Sequence, residues 1–62
     1  MAEGITLNFV DLGTSDAAVI VVRPTSDGVG LAVSLRTDGD IEVFMPKSTA
    51  QELARALIEI VE

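Results

Sequence analysis

The sequence predicts an α+β fold, an antiparallel meander of four strands followed by one C-terminal helix packed on one face. Three observations carry that reading. Four apolar segments of strand period are separated by short clusters of Gly, Pro, Asp, Ser and Thr, too short for the crossovers that parallel pairing needs. The apolar period then changes from two to that of a helix over the last residues of the chain. Finally, 62 residues suffice for one small domain and no more.

The first strand is expected at about 4–12, where Ile5, Leu7 and Phe9 alternate with Thr6, Asn8 and Val10. Gly13-Thr14-Ser15-Asp16 reads as a turn. The second strand, about 17–23, is apolar on both faces and stops at Pro24, which has no amide hydrogen to give a ladder. After the turn Pro24-Thr25-Ser26-Asp27-Gly28 a third strand runs to about 36, with Leu31, Val33 and Leu35 alternating with Ala32, Ser34 and Arg36. A fourth, about 40–45, carries Ile41, Val43 and Met45 on one side and Glu42 and Phe44 on the other. The helix is expected over about 49–61, with Ser48 and Gln51 as a capping box. Its apolar side is built from Ala50, Leu53, Ala54, Leu57 and Val61, opposite Gln51, Glu52, Arg55, Glu59 and Glu62. No Gly follows the helix, so its last turn is expected to fray.

Strand register can be argued from the apolar alternation. A two-residue turn at Asp38-Gly39 would set Leu35 against Glu42, placing a carboxylate on the apolar face. A three-residue loop, 37–39, with Gly39 at positive φ pairs Arg36 with Asp40, Leu35 with Ile41 and Val33 with Val43. The same rule applied to Ser26-Asp27-Gly28 sets Arg23 against Leu31, Val21 against Val33 and Val19 against Leu35. The helix would then cover Val19, Val21 and their partners. The other face would carry Ile20, Val22, Ala32 and Phe44 beside Ser34, Glu42 and an Arg36–Asp40 pair.

That second face, together with the helix, holds more apolar surface than one helix about 10 Å wide can cover on strands about 4.8 Å apart. The helical apolar arc, with Ala56, Ile58 and Ile60 included, spans roughly 200°, about twice what one sheet contact uses. Ile20, Val22, Ala32, Phe44 and Ile60 are therefore the expected interface residues, and a two-fold homodimer is the expected state. Its contact would run through the uncovered sheet face, or through edge strands and the Ile60 flank of the helix.

Composition removes most chemistry. There is no His, Cys, Trp or Tyr, which excludes imidazole bases, thiolate nucleophiles and structural zinc. Four serines, Ser15, Ser26, Ser34 and Ser48, have only Lys47 as a conceivable base and suit turn, sheet and cap positions. Gly28-Val29-Gly30 lacks the third glycine and the following helix of a phosphate-cradling loop. Asp27, Asp38, Asp40 and Glu42 could offer oxygen ligands to a divalent cation, but Val43 stands where an EF-hand loop needs glycine. Neither a catalytic residue, nor a cofactor, nor a metal ligand is assigned. Ten acids against four dispersed cations give a net charge of −6 and an isoelectric point near 4.2, which repels nucleic acid. The longest apolar run, Ala17 to Val22, is far short of a membrane helix, and the first cation is Arg23, so neither a membrane span nor a secretory leader is expected. A cytoplasmic setting follows.

The run from Leu35 to Val43, followed by Ala50, Leu53-Ala54 and Ala56-Leu57, resembles a pattern in short bacterial proteins of uncharacterised function, in which a D-G hairpin leads into an A-x-x-L-A-x-A-L helix. The likeness covers about the last 28 residues. It implies a bacterial setting and assigns no functional residue. The functional expectation is a small non-catalytic interaction or assembly module that self-associates and can bind a protein partner. The alternative is a regulatory protein whose ligand or divalent cation sits between subunits, held by Asp27, Asp38 and Asp40 or by the apolar sheet face.

Overall fold

A computed structural model describes residues 4–62. Four strands, β1 (Ile5–Val10), β2 (Ala17–Pro24), β3 (Gly28–Leu35) and β4 (Gly39–Pro46), form one open antiparallel sheet in the order β1-β2-β3-β4, and α1 (Lys47–Val61) follows without a linker. The class, the order of elements and the single helix are those the sequence predicts.

The registers differ from expectation, and glycine explains why. Between β2 and β3, Ala18 pairs with Leu35, Ile20 with Val33 and Val22 with Leu31, one residue away from the pairing inferred from the apolar pattern. The connection is a two-residue turn, Ser26-Asp27. The Thr25 amide donates to the Gly28 carbonyl at 3.0 Å, and the Gly28 amide donates to Thr25 Oγ1 at 2.9 Å. Gly28 does not supply the turn's backbone freedom; it lies in the strand beneath β4, where a Cβ would stand 2.0 Å from the Met45 carbonyl oxygen. Because β2 is apolar on both faces, its pattern is blind to a one-residue slip that exchanges those faces. The consequence is a correction: Val19 and Val21 lie on the face away from the helix, and Ile20 and Val22 lie on the helix side with Leu7 and Ile5, their partners on β1, and with Phe9.

Between β3 and β4 the shift is two residues. Val33 pairs with Ile41, Leu31 with Val43 and Val29 with Met45, while Ser34 rather than Arg36 opposes Asp40. The loop is 36–38, and Gly39 opens β4 at φ +83°, the positive φ expected of it. A two-residue shift preserves which side chains share a face, so apolar matching cannot detect it. Shape does: this register sets Gly28 against Pro46 and Gly30 against Phe44, the two places where the backbone of β3 needs room.

The helix begins at Lys47 with Pro46 in the N-cap position (φ −63°, ψ 157°) and no side-chain cap, so Ser48 lies inside the first turn and the expected capping box is not formed. Proline's fixed φ and the extended strand end make the transition directly. At the other end the Glu62 amide donates to the Ile58 carbonyl at 3.0 Å, which closes the last turn that was expected to fray.

The β1–β2 connection is organised by Asp11. Its carboxylate accepts from the Thr14 amide (2.9 Å) and hydroxyl (2.7 Å), its carbonyl accepts from the Ser15 amide, and its amide donates to the Asp16 carbonyl. Ser15, at φ +67°, takes the left-handed position of this turn. Those bonds, the Thr14 hydroxyl first, hold the Asp11 carboxyl below its ordinary pKa. The Thr37 hydroxyl donates to Asp16 Oδ2, tying the two loops at this end of the sheet together.

Candidate functional site

The register places every side chain of one sheet face, Ile5, Leu7 and Phe9 on β1 through Val43 and Met45 on β4, in an uncharged apolar set. The helix crosses only part of it. Its close contacts are with β3 and β4, and its apolar side becomes more exposed toward the C-terminus: Ala50 is half-buried, Leu53 is 39 % exposed and Leu57 58 % exposed. Between helix and sheet lies a groove of about 390 Å³ floored by Leu7, Ile20, Val22, Leu31 and Val33 and walled by Leu53, Ala54 and Leu57. No charged side chain lines it.

On either side of the helix the face stays open. Ile5, Leu7 and Phe9 on β1 and Ile41 and Val43 on β4 are all exposed, as are Ile58, Ile60 and Val61 at the free end of the helix. Ala18, 6 % exposed, is the sole buried hydrophobic residue among those described. The chain exposes 5067 Å², whereas a compact monomer of its mass, 6.5 kDa, exposes roughly 3,800 Å². Its radius of gyration, 12.7 Å, likewise exceeds the value of about 10.5 Å for a compact chain of this length.

The four sheet residues expected to form one patch are divided, and Ile60, expected in the alternative contact through the helix flank, lies apart from them. Ile20 and Val22 floor the groove, Ile60 is 83 % exposed on the helix flank, and Ala32 and Phe44 lie on the opposite face. There the Phe44 ring serves its own sheet: a Cβ on Gly30 would come within 3.2 Å of it, so the ring covers the glycine. Arg23 lies over the same ring at 5.6 Å and donates through Nε (3.1 Å) and Nη2 (2.7 Å) to Glu42 Oε2. This exposed pair replaces the expected Arg36–Asp40 pair and is worth a fraction of a kcal/mol. The signal for it was the run Gly30, Ala32 and Ser34, whose small side chains let β2 and β4 groups meet across β3.

The acids do not converge. Asp27 lies in the β2–β3 turn and Asp38 and Asp40 at the far end of the sheet, about 20 Å away along an eight-residue strand. Among the described residues no three His, Cys, Asp or Glu side chains are grouped to hold a metal ion, and no helix is long and apolar enough to cross a membrane. No family model, curated protein or solved structure matches the chain.

Proposed function

We propose that this chain is a non-catalytic assembly module that self-associates through the helix side of its sheet, in the cytoplasm. The observation that carries the reading is the open groove and its apolar surroundings. Roughly 1,200 Å² more surface is exposed than a compact monomer of this size presents, against about 800 Å² per partner in a standard interface. The residues supply recognition and no reaction. The Asp11 carboxyl is held below its ordinary pKa by turn hydrogen bonds, which favours a permanently charged turn residue over an acid-base group.

Thermal unfolding over a hundredfold range of protein concentration tests this. A module whose fold is completed by association melts at higher temperature as concentration rises. A melting temperature independent of concentration, with strong fluorescence of 1-anilinonaphthalene-8-sulfonate on the native protein, would mean that the groove stands open and would refute the reading.

A further inference from the structure

We infer that the occupant of the groove is the helix of a second copy, laid reciprocally over the β1 side of the sheet. The inference rests on the proposed self-association and specifies its geometry.

The widths lead there first. Four strands at about 4.8 Å spacing make a face nearly 20 Å across, and a helix is about 10 Å wide, so the face takes two helices. The chain has one, in close contact with β3 and β4. The face is open on both sides of the helix, and the groove itself extends to β1, where Leu7 forms part of its floor and Ile5, Leu7 and Phe9 are exposed and uncharged. The helix itself is made for two contacts. Ala50, Leu53 and Ala54 face its own sheet. Ile58 and Ile60, at the edges of the same broad apolar arc and outside the groove lining, are left for another surface. Glu52, Arg55 and Glu59 fall outside the arc, so charge stays at the rim. A two-fold axis turns these two deficits into one solution, because each copy supplies the helix end that the other's β1 lacks. The excess exposed area is of the size such an isologous contact hides, at the lower end of obligate dimers.

The absence of native cysteine makes the test direct. Leu7→Cys and Ile60→Cys chains are mixed, equilibrated and mildly oxidised, and the mass of the unmodified protein is measured in parallel. The inference expects a dimer and a disulfide-linked Leu7→Cys/Ile60→Cys heterodimer, with no such product when Asn8→Cys, on the opposite face, replaces Leu7→Cys. A dimer that gives no Leu7/Ile60 product, or that gives the Asn8 product equally, overturns this geometry and leaves self-association standing. A monomer overturns both. Ile60→Glu keeps the test independent of folding, since a residue so exposed in the single chain can accept a charge; it should lower the dimer fraction at least tenfold while circular dichroism is unchanged.

Discussion

At the scale of single residues, two glycines do different work, and one substitution in each separates them. Gly39 has open space around it and positive φ, so Gly39→Ala meets strain alone and should cost about 1 kcal/mol in a denaturant melt. Gly28→Ala drives a methyl group into the β4 backbone and should cost several times that, on the order of 3 kcal/mol, enough to unfold most of the population of so small a domain. Equal losses in the two variants would contradict the close approach of β3 and β4. Asp11 gives a pH signature. Its folded pKa is depressed, so its contribution is complete above the unfolded carboxylate value and is lost as pH falls through the lower, folded value. Asp11→Ala should therefore melt below wild type at neutral pH, and the gap should close in acid. A gap that widened on acidification would contradict the turn as described.

At the scale of elements, the strands, the helix and the meander were legible because their signals are local: alternation, turn residues and a change of period. The positive φ of Gly39 was legible too, as the product of turn chemistry. Which face Ile20 and Val22 occupy was not, because β2 is apolar on both sides and its pattern is unchanged when a one-residue slip exchanges them. That single slip moved half of the expected interface to the helix side and left Phe44 as a cover for Gly30. The element-level prediction changes accordingly. Phe44→Glu should leave the mass of the protein in solution unaltered, whereas Leu57→Glu, in the wall of the groove, should shift it toward monomer. The reverse result in gel filtration with light scattering would return the interface to the outer face.

At the scale of the whole molecule, the chain has well-formed strands and helix but almost no interior. Among the described residues the sheet buries one hydrophobic side chain, Ala18, and the helix none, and the proposed association supplies the burial that a small domain otherwise lacks. The net charge of −6 opposes indiscriminate aggregation through so much apolar surface. Fold and association are, on this account, one equilibrium. Sedimentation equilibrium of the unmodified protein at about 100 µM tests that most directly: the account predicts a mass of about 13 kDa, twice the 6.5 kDa chain, and a folded species of 6.5 kDa at that concentration would contradict it.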